Sequence, residues 1–358
     1  MGVWGGYAVP QYFKCDFHSE YDFRSSSRFV GHTHAIPTDG SASPLSTRAT
    51  SSSPAHVAIL LAVKDGARFL PEQLESYVQQ THTDWSLHVS DDGSKDRTIE
   101  IIQDFVRRVP NLVTLRSGPC AGPNSNFLSL LRDPSIEADY FAFSDQDDVW
   151  CADKLERALD VVRTAPGHHP TLYGSRTELI DREGCHSGFS MKFKKPPSFR
   201  NALVQSIAGG NTMVFNRTAR ELLRRVVDGN VIIHDWMTYI VISAVGGTVF
   251  YDTKPSVRYR QHADNLVGSN LSFRARARRV RMLFKGQWQE WNSIHLKELE
   301  RLLPEITDEN RKVLKSFVQM READGFLQRC WHLWKSGVYR QTLLGEIGLL
   351  FAAVFGKV

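Results

Sequence analysis

The sequence predicts an α/β fold: a mixed, mainly parallel sheet flanked by helices, followed by a helical C-terminal extension. Three observations predict it. Short apolar runs alternate with amphipathic stretches from Val57 onward, the pattern of repeated βαβ units. Carboxylates gather where two of those apolar runs end, and ligands of parallel sheets bind beyond the carboxyl ends of the strands. Beyond Leu271 the spacing of apolar residues is almost entirely helical.

Taken in order, Val57–Val63 is an unbroken apolar run of strand length. Pro71 then opens a helix that places Leu70, Leu74 and Val78 on one face, proline being well tolerated in a first helical turn. Leu87–Ser90 is the next strand, and a helix from Asp96 turns Ile99, Ile102, Phe105 and Val106 inward. Leu112–Leu115, a short helix around Phe127–Leu131, and Tyr140–Ser144 complete the repeated βαβ half. The second half is mixed. It has helices at Asp153–Thr164, Thr218–Val227 and Trp236–Val245, and strands near Leu172, at Thr212–Phe215, at Thr248–Tyr251 and at Val257–Arg260. Residues 1–54, with a Ser/Thr-rich run at Ser41–Ser53, lack periodicity and read as a disordered extension. A catalytic domain is expected over residues 55–268 and a helical region over 269–358.

With 358 residues, 42% of them hydrophobic and 23% charged, the chain has the composition of a globular protein with a sizeable core. The formal charge of +5 is local in origin. Phe273–Lys285 holds Arg274, Arg276, Arg278, Arg279, Arg281 and Lys285 without an acid, so anionic partners are expected there. The five cysteines are scattered, with no Cys-x-x-Cys, which argues against a zinc site or disulfide framework and for a reducing compartment. No secretory signal opens the chain. The longest apolar candidate, Ile347–Phe355, is half the roughly 18 residues that cross a bilayer. A cytoplasmic location is expected.

Two acidic clusters carry the chemistry. Ser144-Asp145-Gln146-Asp147-Asp148-Val149-Trp150 follows an apolar strand. In an extended segment side chains at i and i+2 point the same way, so Asp145 and Asp147 address one site. A hard divalent ion, Mg²⁺ or Mn²⁺, bound jointly with phosphate oxygens suits that pair; a solvated acidic turn is the plainer alternative. Ser90-Asp91-Asp92-Gly93-Ser94, with Asp96, sits where a strand turns into a helix. Fixed carboxylates there accept hydrogen bonds from a nucleotide's base N–H and ribose hydroxyls, or else build an Asp-Gly turn and a helix cap.

These clusters stand in a series. Ala62-Val63-Lys64-Asp65-Gly66, Glu72-Gln73-Leu74, Gln80-Thr81, Asp91-Asp92-Gly93-Ser94-Lys95-Asp96, Asp145-Gln146-Asp147-Asp148-Val149-Trp150, Gly209-Gly210-Asn211, His234-Asp235-Trp236 and Tyr259-Arg260-Gln261-His262 follow one another in that order. The series resembles glycosyltransferase family 2, nearest its bacterial rhamnosyltransferase-like members, over about residues 56–268. The resemblance implies a GT-A fold and inverting transfer from a nucleotide-diphosphate sugar. It implies that Asp65, Asp91 and Asp92 contact the donor's base and ribose and that Asp145 touches its ribose side. Asp147 and His262 resemble the metal ligands, and Asp235 the catalytic base. An inverting displacement needs a base opposite the leaving group, and removing it costs about 10² to 10⁴ in rate; a helix cap is the plainer role for Asp235. Gly210, Asn211, His234 and Trp236 are the expected acceptor contacts. Two positions depart from the family pattern: Lys64-Asp65 stands where Tyr-Asn is common, and Met237 where a second Trp is common.

The expected partners are a nucleotide-sugar donor, with rhamnose from dTDP-rhamnose as the first choice on resemblance alone, and a glycan or lipid-linked acceptor. For the C-terminal region two uses are open: peripheral contact with the inner face of the plasma membrane, or a helical lid on the catalytic domain. A nucleic-acid partner is not expected, because Phe273, Phe284 and Trp288 are too few and irregular to form a stacking platform. The rival functions are a sugar nucleotidyltransferase, for which Lys64-Asp65-Gly66-Ala67-Arg68 is a poor phosphate loop, and a non-catalytic sugar-nucleotide binder, which has no need of Asp235.

Overall fold

Val57–Val63 carries no polar side chain and forms β1, the first five residues of which have no exposure at all. Burial on both faces is what a near-continuous apolar strand at the centre of a parallel sheet requires. The structure, a computed structural model, describes residues 55–166, 168–226, 234–261 and 287–358. Around β1 lie β2 (Trp85–Asp91), β3 (Val113–Ser117) and β4 (Tyr140–Ser144), all parallel, in the order β3-β2-β1-β4. Helices α1 (Leu70–Val78), α2 (Thr98–Arg108) and α3 (Pro123–Arg132) make the crossovers. The expected βαβ half is present.

β1 alternates between two cores. Val57, Ile59 and Leu61 pack with Leu74, Ile102 and Phe105 of α1 and α2, whereas Ala58 and Leu60 pack with Phe127, Phe141 and Phe143 on the other face. This period of two is imposed by the pleat.

The mixed half continues the sheet. β5 (Val149–Trp150) is followed by α4 (Lys154–Val162), β6 (Thr171–Ile180), β7 (His186–Phe189) and α5 (Phe199–Ala202). Then come a 3₁₀ turn at Gly210–Thr212, β8 (Val214–Asn216), α6 (Arg217–Val226), α7 (His234–Ala244) and β9 (Thr248–Arg260). The strand order runs on from β4 as β8-β6-β9-β5, with β8 antiparallel to both β4 and β6, and β9 parallel to β6. Two expected strands, at Thr248–Tyr251 and Val257–Arg260, are one strand in the structure. A register shift opposite Ser175 and Thr177 absorbs Pro255, which lacks the N–H that an uninterrupted ladder would need.

Four helices follow: α8 (Gln287–Leu299), α9 (Asp308–Glu322), α10 (Phe326–Ser336) and α11 (Leu343–Val354). Leu299, Phe317, Met320, Leu349 and Ala353 join the same core as Tyr239 and Ile240 of α7. The helical C-terminal region therefore packs on the sheet domain, as the lid alternative anticipates. Among the described residues no helix is long and apolar enough to cross a membrane. The extension at 1–54, the basic stretch Phe273–Lys285 and His262 lie outside the described residues.

Candidate active site

The segment Asp145–Asp148 leaves the end of β4, in the middle of the sheet, and returns as β5, which pairs antiparallel with Val257 and Arg258 of β9. Its two ends are thus anchored in opposite halves of the sheet, across the point where strand direction changes. Ser144 Oγ, at its start, hydrogen-bonds Tyr77 Oη at 2.7 Å. Gln146 clasps the loop after β1 as a backbone would: its Oε1 accepts from Lys64 N–H at 2.8 Å and its Nε2 donates to Lys64 O at 2.9 Å. A Cβ on Gly66 would collide with that amide. The far end is held by Arg260, only 1% exposed, whose Nε donates to Asp147 O at 3.0 Å and whose guanidinium also pairs with Glu72 of α1.

Within the loop the carboxylates divide as the i, i+2 spacing expects. Asp148 is fully buried and structural, accepting from Arg260 N–H at 3.1 Å and from the Asn211 amide. Burial, together with the charges of Asp147 and Asp145, holds its carboxyl well above the usual range. Asp145 and Asp147 are partly open. Burial pushes the Asp145 carboxyl up to about 7, helped by the negative charges of Asp147 and of Asp235, with Lys154 pulling the other way. The Tyr259 phenol is raised first by burial and then by Asp148, Asp145, Asp147 and Asp235. Acids from two distant parts of the chain therefore share one electrostatic site.

Asp235 lies inside the first turn of α7, which begins at His234, rather than ahead of it as a cap. A carboxylate there is favoured by the N-terminal helix dipole. Its Oδ2 accepts from Gly210 N–H at 2.9 Å and its Oδ1 from Trp236 N–H, so the group is fixed in place. Gly210 is required by closeness: a Cβ would stand 2.6 Å from His234 Nε2 and 3.3 Å from Asp235 Cβ.

Two of the expected acceptor contacts, Trp236 and Asn211, are buried in the fold. Trp236 is 3% exposed, donates from Nε1 to Ala202 O at 2.7 Å and packs edge-on to Trp288 and His295, so its ring is core and offers no stacking face. Asn211 is buried with its amide on Asp148 and its carbonyl accepting from Lys154 Nζ at 2.6 Å. The His234 ring stacks on Phe127 at 4.2 Å, meets Asn124 Oδ1 at 3.0 Å, and is driven toward the neutral form by burial. The Nε2 of His234, by contrast, has no hydrogen-bond partner among the described residues. The N–H of Gly210 is donated to Asp235.

On the donor side, Asp65 adopts φ +48 and accepts from Lys95 N–H at 2.7 Å, while its own N–H donates to Ser94 Oγ at 2.9 Å. The loops after β1 and β2 are thereby stapled together. Asp91 is also corrected: its carboxylate turns back to accept from Gly93 and Ser94 N–H, building the Asx turn that was the plainer alternative. Asp92 differs. It is 3% exposed, one oxygen accepts from Gly122 N–H at 2.9 Å, and the other has no hydrogen-bond donor among the described residues. The side-chain oxygen of Asn126 is in the same condition, and both lie over Gly118, where a Cβ would approach them to 3.1 and 2.6 Å. Buried acceptors left without donors are costly unless a ligand or water supplies one.

Lys154, Arg260, Gln146 and Asn126 were absent from the sequence-derived site. Arg260 and Gln146 stood inside the quoted motifs, but nothing in their spacing reveals that they hold loops. Among the described residues no three His, Cys, Asp or Glu side chains form a preformed metal cage. The Asp145–Asp147 pair, in which the charge of Asp147 raises the Asp145 carboxyl, has the chemistry to hold a hard cation whose remaining ligands are phosphate oxygens.

A carboxylate pair above a sheet's change of strand direction, a fixed acid that acts electrostatically on it, and an unsatisfied buried carboxylate between β2 and α3 lie beyond the carboxyl ends of the strands. Residues 58–221 match the family described as Glycosyl transferase family 2. It is similar to the dTDP-rhamnosyl transferase RfbG of Shigella flexneri, 27% identical over 282 residues that cover 75% of this chain and 89% of that one. It is also similar to the UDP-Glc:alpha-D-GlcNAc-diphosphoundecaprenol beta-1,3-glucosyltransferase WfgD of Escherichia coli, 26% identical over 45% of this chain and 60% of that one. A solved structure of S. aureus TarS with UDP-GlcNAc aligns over 79% of this chain and 89% of that one, with 14% identity and a TM-score of 0.47.

Proposed function

We propose that the chain transfers a sugar, rhamnose from dTDP-rhamnose in the first instance, to a hydroxyl of a glycan or lipid-linked acceptor, with inversion, as a step in cell-surface polysaccharide synthesis. The observation that carries this is the placement of Asp235, held by Gly210 N–H within electrostatic reach of the Asp145–Asp147 pair. The relative named as a dTDP-rhamnosyl transferase supports the choice of donor, and the one named for a diphosphoundecaprenol substrate supports a lipid-linked acceptor. The reaction is expected in the cytoplasm, where nucleotide sugars are made.

In this reading Asp92, with its unpartnered oxygen, and Asn126 receive the base or ribose donors of the nucleotide, and Asp65 shapes the adjoining loop. Asp145 and Asp147 would hold Mg²⁺ or Mn²⁺, with His262 as a further ligand; the ion supplies charge stabilisation to the departing diphosphate. Asp235 takes the proton of the acceptor hydroxyl as that oxygen bonds to the anomeric carbon. The bond from that carbon to the diphosphate oxygen breaks on the opposite side, and the electron pair leaves with the diphosphate. Gly210 N–H keeps the accepting oxygen of Asp235 aimed during the transfer.

The test is Asp235→Asn. Calorimetric affinity for dTDP should stay within about twofold while turnover falls by about 10² to 10⁴. Turnover close to that of the unaltered protein would remove Asp235 from the chemistry, and donor release measured over a panel of nucleotide sugars, with and without Mn²⁺, decides sugar and metal.

A further inference from the structure

The last two helices are amphipathic in an unusual sense: both faces are apolar. The inner face of α11 gives Leu349, Ala352 and Ala353 to the core. Its outer face leaves Leu343, Leu344, Ile347 and Phe351 in solvent, the first two at 77 and 74% exposure. α10 packs against α11, with Arg329 donating to Val354 O at 3.0 Å. It exposes Leu327, Trp331 and Trp334 at the helical spacing of one stripe, Leu327 at 71% and Trp334 at 73%. Isolated exposed apolar side chains are ordinary, but a row of this length marks an interaction surface.

The charges around the row indicate its occupant. From Phe326 to Phe355 the only acid is Glu346, and it is neutralised by Lys195 at 2.6 Å. The Lys195 ammonium also donates to Arg340 O at 2.8 Å, its backbone N–H donates to Gln341 Oε1 and its carbonyl accepts from Gln341 Nε2, which fixes the segment 191–196 beside the start of α11. That segment presents Lys192 and Lys194, both exposed and without an ion pair among the described residues, next to the exposed Met191. Lys335 is exposed at the end of α10. An apolar row edged by tryptophans and flanked by lysines, without opposing acids, matches the boundary between an anionic headgroup layer and acyl chains. A second copy of the chain would bring the same lysines against each other.

We infer that the outer faces of α10 and α11, with the Lys192–Lys194 segment, form a docking surface for an anionic lipid bilayer, on which the protein lies without crossing it. Docking does not depend on which sugar is moved, and it is read without donor or acceptor.

The test is sedimentation of the full chain with large unilamellar vesicles, either phosphatidylcholine alone or phosphatidylcholine mixed with phosphatidylglycerol. The unaltered protein should pellet with the mixed vesicles, and its tryptophan emission should shift to the blue as Trp331 and Trp334 leave water. The pair Lys192→Gln and Lys194→Gln should lose roughly 25-fold in partitioning to the mixed vesicles, since each basic residue near such a surface contributes about fivefold. The pair Trp334→Glu and Phe351→Glu should lose at least about tenfold on either vesicle, with a melting temperature equal to that of the parent. Protein that stays in the supernatant at all lipid concentrations would overturn the inference. So would a dimer in light scattering that Trp334→Glu and Phe351→Glu turns into a monomer while vesicle binding is absent.

Discussion

Asp145→Asn is expected to make the metal-free protein more stable above neutral pH. The Asp145 carboxyl is pushed up to about 7 by burial and by the charges of Asp147 and Asp235, against an unfolded value of about 3.9. A carboxyl whose folded pKa is raised binds its proton more tightly in the folded state. Its contribution is fully present below about pH 4 and is lost as pH rises to about 7. Three units at about 1.4 kcal/mol each set an upper bound of about 4 kcal/mol. The carboxylate is partly open to the cleft, so solvent screening reduces this to about 2 kcal/mol. Asparagine reproduces the protonated acid in shape and charge. Thermal and urea unfolding in the presence of a chelator should therefore show the variant about 2 kcal/mol more stable near pH 8, an increase of roughly 5 °C, and equal to the parent only below about pH 4. An equal shift at both pH values would mean that packing, not charge, sets the effect. Lower stability near pH 8 would refute the reasoning, because the crowding of acids would then not strain the fold.

Arg260→Met removes the guanidinium that joins Asp147 O to Glu72 and should cost about 1–3 kcal/mol in unfolding by leaving the carbonyls of Asp147 and Arg182 without their donor; no measurable loss in denaturant titration would show that the loop holds itself. Gly210→Ala should lower kcat by about 10² with a smaller change in donor KM, because a Cβ 3.3 Å from Asp235 Cβ displaces the base; equal losses in both parameters would argue against it. Trp236→Phe should leave the acceptor KM unchanged and cost about 1–3 kcal/mol in stability by orphaning Ala202 O. Burial lowers His88 and His295 to about 4, so each should withdraw stability as pH falls from about 6.5 to about 4, and His88→Gln should flatten that limb of the stability curve.

What the sequence made legible follows from the range of the forces involved. β1 could be read because an apolar run buried on both faces leaves a local signature, and the division of Asp145 and Asp147 from Asp148 followed from the two-residue period of an extended chain. β5 could not be read: two residues are too few for periodicity, and Val149–Trp150 is a strand only because Val257 and Arg258 lie beside it. The burial of Trp236 and Asn211 could not be read for a related reason. The letters His-Asp-Trp mark a place in the fold, but whether a ring faces the cleft or the core depends on what packs behind it. For Trp236 that neighbour is Ala202 with the edges of Trp288 and His295, contributed by segments far away in the chain.

The same logic explains why the arginine in Tyr259-Arg260-Gln261 and the glutamine in Asp145-Gln146-Asp147 matter as much as the acids beside them. A site that crowds carboxylates pushes its own loops apart, at a cost of several kcal/mol on the scale worked out for Asp145. Cations and amides must therefore bind the loop backbones from behind. Arg260 grips Asp147 O while Gln146 grips Lys64 on both sides, and neither interaction spends the carboxylates themselves. A neutral residue in a string of acids, and a buried arginine one strand away, are what an acidic loop needs if its backbone is to hold its course against the repulsion of its own charges.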